Sequence, residues 1–395
     1  MYKSHLWRLS CSIFLLWNHT DVIAADVFKP YVSASVARDS NLFRSSKDSV
    51  SGDTPDTISR IEAGMQVNYP ISRQHLSLKA SVNRNQYQRY EFLNYDGNDV
   101  QAVWNWQMGN LLQGDLGYTR NQTLASFTDT QVNGRDVRTQ QSAFANANYR
   151  PHPDWRLHGG GRWYALESES SINQLLKREE VSGVVGVDYI SNANNSVGIQ
   201  GYFMEARFPD SEAVSPSSFD NGYSQVEISS VANWAVSGNS RLRGRLGYTQ
   251  SRYNQLSSRD SNNMTGRFTY DWSITGKTML SGAVWREIGT VTDTTSTFSL
   301  TKGSSLDVSW VPTSKISVRG GVAYRSSDFQ SESGFVLGVV DKRKDDIRTA
   351  SAALGYSPLR NILLSLEGII EQRDSTRMFF DYSYKLLRAS VKVEF

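Results

Sequence analysis

Cysteine is nearly missing from this chain: Cys11 is the only one in 395 residues. It lies in an N-terminal segment that reads as removable. The rest of the chain therefore has no disulfide, no thiolate metal site and no cysteine nucleophile. A lipobox is excluded because the apolar stretch follows Cys11 instead of preceding it. Histidine is scarce as well. Beyond that segment only His75, His152 and His158 remain. No metal-ligand spacing, phosphate loop or nucleophile elbow occurs. Catalytic residues, metal and cofactor are therefore not expected. A formal net charge of +3 is too small to argue for nucleic acid. Only 39% of residues are hydrophobic, and no run nears the roughly 18 apolar residues of a spanning helix. That composition leaves open a membrane β-barrel, which needs apolar side chains only at alternate strand positions.

The N-terminus reads as a secretory signal. Lys3 and Arg8 form a basic start, Leu9 to Trp17 an apolar stretch, and Val22-Ile23-Ala24 a small-residue cleavage site. Residues 1–24 are assigned to the signal peptide and 25–395 to the barrel.

Nine aromatic residues then recur about every 40 positions. They are Tyr69, Trp106, Tyr149, Tyr189, Trp234, Trp272, Trp310, Tyr356 and Phe395. Eight are followed at once by a short turn-rich stretch. A strand that reaches the membrane interface, leaves a ring there and turns back gives this rhythm. The strands show a period of two. Ile61, Ala63, Met65, Val67 and Tyr69 alternate with Glu62, Gln66 and Asn68. Met264, Phe268, Tyr270 and Trp272 oppose Arg267 and Asp271. The aromatics fall in phase with the apolar set.

Short and long connections alternate, as they do between the periplasmic turns and outer loops of bacterial barrels. Eight short turns and nine long loops imply about 18 strands. The expected fold is all-β: a transmembrane antiparallel up-and-down barrel in the outer membrane of a Gram-negative bacterium. A propeller also repeats every 40–45 residues, but its blade needs four short strands, and here each repeat holds two long ones. The chain ends in a strand closed by Phe395, which resembles the signal read by the barrel assembly machinery. The stretch before the first strand, near Lys29, holds no plug domain, so a plugged, energised transporter is not expected.

The opposite parity defines the lumen. It holds Arg156, Arg162, Arg243, Arg245, Arg267, Arg319, Arg325 and Arg388, against Glu62, Asp115, Asp188, Glu227, Asp271, Asp307, Glu367 and Glu371. Cross-strand pairing would make these a solvated wall. Concentrated arginines would make an anion-attracting one. Tyr87, Tyr164, Tyr202 and Trp285 share that parity, as sugar-stacking rings or as wall filling. The longest loop, 326–345, carries an apolar piece that includes Phe335, Val336 and Leu337. It is expected to constrict the pore.

Arg38-Asp39-Ser40-Asn41-Leu42-Phe43-Arg44 resembles the "DNNLFR"-type segment of EpsL-like outer-membrane barrels. These accompany exosortase-linked exopolysaccharide loci and belong to a wider β-barrel porin group. Pro70-Ile71-Ser72-Arg73-Gln74, Trp104-Asn105-Trp106 and His152-Pro153-Asp154-Trp155-Arg156-Leu157 are similar to further segments of that family. Asp39-Ser40-Asn41 departs from the doubled-Asn form. The resemblance implies a conduit for exopolysaccharide export, with a polysaccharide substrate and export partners that supply energy. A general or sugar-selective diffusion porin is the alternative, and a non-conducting structural barrel a further one.

Overall fold

The protein is described by a computed structural model. It covers residues 27–49, 54–128, 134–170, 177–209, 222–255, 257, 260–290, 298–330 and 343–395. The proposed signal peptide, residues 1–24, lies outside the described residues, as do Phe335, Val336 and Leu337 of the expected constriction.

Eighteen strands form one closed antiparallel sheet. They are β1 (Phe28–Asp39), β2 (Asp56–Ile71), β3 (Gln74–Tyr87), β4 (Tyr95–Met108), β5 (Leu112–Leu124) and β6 (Val137–His152). Next come β7 (Trp155–Ser168), β8 (Arg178–Ile190), β9 (Ser196–Arg207), β10 (Tyr223–Ser237), β11 (Ser240–Tyr253) and β12 (Ser261–Thr275). The last are β13 (Thr278–Thr290), β14 (Phe298–Thr313), β15 (Ile316–Gln330), β16 (Lys344–Leu359), β17 (Ile362–Ser375) and β18 (Tyr382–Glu394). Each strand pairs with its sequence neighbours, and β1 also pairs with β18. Closure leaves no free edge, so every ladder N–H and C=O finds a partner inside the sheet, as a bilayer demands.

Register sets the two faces. Met65, Val67 and Tyr69 stand opposite Ala80, Leu78 and Leu76, whereas Glu62 faces Asn83. A slip of one residue would turn every polar side chain toward lipid. The outer face keeps large aliphatic groups at the surface: Ile61, Val82, Val185, Ile199 and Ile228 are each at least 60% exposed. Such a band would aggregate in water and is satisfied by acyl chains.

Tyr69, Tyr149, Tyr189, Trp234, Trp272, Trp310 and Tyr356 are exposed on this outer face, beside the short turns. Trp106 is half-buried because its ring lies across Gly114, where a side chain would collide with it. Phe395 is exposed, and its amide donates to the Pro30 carbonyl at 2.9 Å across the β1–β18 seam. The short turns are tight: Ser72 and Gly109 take left-handed backbone angles, φ +55° and +61°. Side chains tie neighbouring turns together. Arg73 Nη1 donates to the Gly109 carbonyl at 2.9 Å, and Lys277 Nζ to the Pro312 carbonyl at 2.7 Å.

Candidate functional site

The inner face divides into two half-walls of nine strands, and their charges differ. Among the described residues, nine arginines point inward on β7–β15: Arg156, Arg162, Arg178, Arg241, Arg243, Arg245, Arg267, Arg319 and Arg325. Six carboxylates oppose them: Glu180, Asp188, Glu227, Asp271, Glu287 and Asp307. On β16–β6 the balance reverses. Seven cations (Arg373, Arg388, Lys392, Lys29, Arg60, Lys79 and Arg138) stand with nine acids: Asp345, Glu367, Glu371, Glu394, Asp39, Asp56, Glu62, Asp99 and Asp115. An 18-strand barrel has a backbone diameter of about 35 Å, from strand spacing and tilt. Charges on opposite walls are therefore too far apart to pair.

The basic half-wall is a lattice. Arg245 and Arg267 sit directly opposite one another on β11 and β12. Like charges in that position repel. Two carboxylates resolve the repulsion. Arg245 donates to Glu227 at 2.5 Å and to Glu287 at 3.0 Å, and Arg267 donates to Glu287 at 2.7 Å. Glu227 also accepts from Thr249 and Thr265, and Arg267 stacks 4.8 Å from the Trp285 ring. Lower down, Arg243 meets Asp271 at 2.5 Å, and Arg156 and His158 share the buried Asp188 at 2.8 and 3.0 Å. Arg162 donates to Ser142 Oγ at 2.8 Å. Arg319 faces Ser309 and Ala353, and Arg325 faces Gly303 and Ile347.

The four inward rings take different positions. Trp285 lies over Gly303, which has no side chain to displace it. Tyr164 is buried, with Arg178 and Arg162 at 5.5 and 6.0 Å from its ring. Tyr202 packs against a cluster of Met204, Tyr223 and Tyr253 at the outer end of the wall. Tyr87 is buried in a second cluster, with Leu42, Phe43, Leu93, Tyr95, Phe127 and Val137.

That second cluster is the mouth, and periodicity does not announce it. The β1–β2 and β5–β6 connections fold together above the acidic half-wall. Phe43 packs edge-on against Tyr90 and Phe127, with centroids 4.6 and 4.8 Å apart. The β5–β6 connection reaches as far as β17, six strands around the ring, where the Thr128 carbonyl accepts from Arg373 Nη1 at 2.6 Å. Arg373 also donates to the Phe380 carbonyl at 2.6 Å and stacks 4.4 Å from Tyr382. Residues 38–44 anchor this assembly to β18. The Asn41 backbone N–H donates to Asp39 Oδ1, and its side-chain amide donates to the Ser45 and Ser383 carbonyls. Arg44, at φ +55°, bonds Asp39 at 3.0 Å and stacks 3.5 Å over Tyr384. The one sequence signal for this mouth is Leu42-Phe43, an apolar pair inside an otherwise polar loop.

No protein-family model and no curated protein matches the sequence. Solved structures do. A BenF-like porin from Pseudomonas fluorescens Pf-5 superposes with TM-score 0.51 at 11% identity, over 94% of this chain and 99% of that one. OccAB3 of Acinetobacter baumannii gives 0.50 at 10% identity, over 93% and 99%. OccK2 (OpdF) of Pseudomonas aeruginosa gives 0.50 at 11%, over 93% and 98%. Identities this low speak to the fold. With its lipid-facing band and closed ring, the chain is an 18-strand β-barrel of the Gram-negative outer membrane.

Proposed function

We propose that this chain is a passive diffusion porin that favours small hydrophilic anions. The observation that carries the reading is the division of lumen charge, nine arginines against six carboxylates on β7–β15 and seven cations against nine acids on β16–β6. Walls of opposite sign across a wide lumen set up a transverse field. A solute's anionic group runs along one wall while its hydroxyl groups face the other. The β5–β6 connection and Phe43 narrow the entrance on the acidic side and leave the arginine lattice as the path. Likeness in fold to a BenF-like porin supports this over an export conduit. The test is reversal potential in a planar bilayer under a KCl gradient. Stepwise openings with anion preference are expected. Cation preference, or no conductance at all, would sink the proposal.

A second reading keeps the exopolysaccharide conduit. Its support is the 38–44 segment, whose Asn41, Phe43 and Arg44 all serve the mouth. On this reading export partners deliver a polysaccharide to the lumen. A clean deletion that leaves surface polysaccharide unchanged in amount and length would remove it. In both readings the barrel assembly machinery inserts the chain and reads the strand ending in Phe395.

A further inference from the structure

The lipid face carries a concavity that a barrel wall does not need. A trench of about 950 Å³ runs across the outside of β11–β17, lined by the small residues Gly282, Ser304 and Ala350 together with Phe268, Leu306 and Ile370. These positions share the outward parity. Neighbouring stretches of the same face are filled by large side chains such as Val185, Ile199 and Ile228. The trench is therefore an acyl-chain-sized gap in an apolar surface.

Just above it, two residues beyond its lining residues Val284 and Ser304, the wall is basic. Arg286 on β13 and Lys302 on β14 are direct cross-strand partners, and both are exposed. Two like charges opposed on a lipid-facing ladder repel. Lys302 has Asp328 at 3.9 Å, the outer limit of an ion pair. Arg286 is held by its Nε at the Met264 carbonyl, 3.1 Å away, and no carboxylate among the described residues lies within ion-pair reach. Arg348 lines the trench itself and reaches Asp374 at 3.4 Å. Among the described residues, the remaining acid of this face, Asp346, is occupied by Tyr324 Oη at 2.9 Å and Lys344 at 3.4 Å. Lys302 stands eight residues up its strand from Trp310, and Arg348 eight up from Tyr356. With tilted strands that is about 20 Å above the periplasmic ring of aromatics, close to the top of a hydrocarbon band about 25 Å tall.

From this geometry we infer a lipid site: the trench holds acyl chains of a phosphorylated glycolipid of the outer leaflet, and Arg286 with Lys302 binds its phosphate. An anion placed between the two side chains converts their repulsion into two charge-assisted hydrogen bonds. The trench below matches the chains of the same molecule. Charge complementarity at one end and apolar depth at the other favour this occupant over a second barrel, which would leave the Arg286–Lys302 pair unanswered. The site is on the opposite side of the wall from the lumen and is independent of what the pore conducts.

The test uses the folded full barrel in detergent, with bis-phosphorylated, multiply acylated lipid A as the probe and its dephosphorylated form as the control. Folding is checked by the shift in gel mobility between heated and unheated samples. Wild-type protein is expected to retain the phosphorylated lipid, and Arg286→Gln with Lys302→Gln to weaken it about 10- to 30-fold. Both proteins should bind the dephosphorylated lipid equally weakly. Ala350→Trp, which fills the trench and keeps the charges, should also weaken retention. Equal retention by wild type and the double variant overturns the proposal, as does tight binding of the dephosphorylated lipid by wild type. So does an Ala350→Trp protein that changes oligomeric state with lipid retention intact, since the trench is then a contact between copies.

Discussion

The half-wall β7–β15 and the half-wall β16–β6 are built from the same alternation, yet their charged groups do different work. On β7–β15 Arg245 and Arg267 are locked to one another through the carboxylate they share, Glu287, and Arg243 and Arg156 each hold a carboxylate of a neighbouring strand. On β16–β6 many charges are consumed by architecture near the mouth: Arg373 holds the Thr128 carbonyl and Asp39 holds Arg44. The first arrangement stiffens a surface that still faces water. The second folds connections over the entrance. On the proposed porin reading, the acidic side narrows the way in and the basic side lines the way through.

The largest effect should come from reversing the basic half-wall. Arg243→Glu with Arg245→Glu is expected to change the sign of the reversal potential under a KCl gradient. Unchanged anion preference would show that the lattice does not face the permeating ion. Next in size is the acidic side. Phe43→Ala should destabilise the mouth by about 3 kcal/mol, the usual cost of emptying a buried aromatic site, read as a loss in thermal unfolding midpoint. Arg373→Ala frees the β5–β6 connection and should raise single-channel conductance up to about twofold, because a wider entrance admits more ions. If conductance stays the same, the mouth is not the narrowest point. A smaller change is expected from salt. Between 0.1 and 1 M KCl the screening length falls from about 10 to about 3 Å, so anion preference should decline steadily. The smallest effect sharpens the distinction between faces. Quenchers carried on lipid should dim Trp234, Trp272 and Trp310 and spare Trp285, compared through single-tryptophan variants. Loss of the Trp285 signal would mean that the faces are exchanged.

Strand number and facing were legible because both are written locally. A period of two separates Glu62 from Ile61, and a ring such as Trp272 marks where each strand ends. Depth and partnership were not. Parity places Tyr87 on the lumen side and gives no sign that Phe43 and Leu93 bury it. The mouth depends on contacts such as Thr128 with Arg373, which lie 245 residues apart in the chain. The Arg245–Arg267 opposition exists only once the β11–β12 register is fixed, and that register follows from a turn and two ladders together. The 38–44 segment was recognisable as a motif, but its role in anchoring the mouth to β18 needed the Ser383 carbonyl and the Tyr384 ring in place.

The side chains that tie neighbouring periplasmic turns run in one sense around the barrel. Arg73 grips the turn after its own at Gly109, Lys277 grips the next at Pro312, and Lys315 the next at Pro358. Each latch spans a whole hairpin, so together they fasten two arcs of the periplasmic rim. Turns fastened in this way cannot splay apart one at a time. A pull on one of these turns from the periplasm would then be shared with the next hairpin.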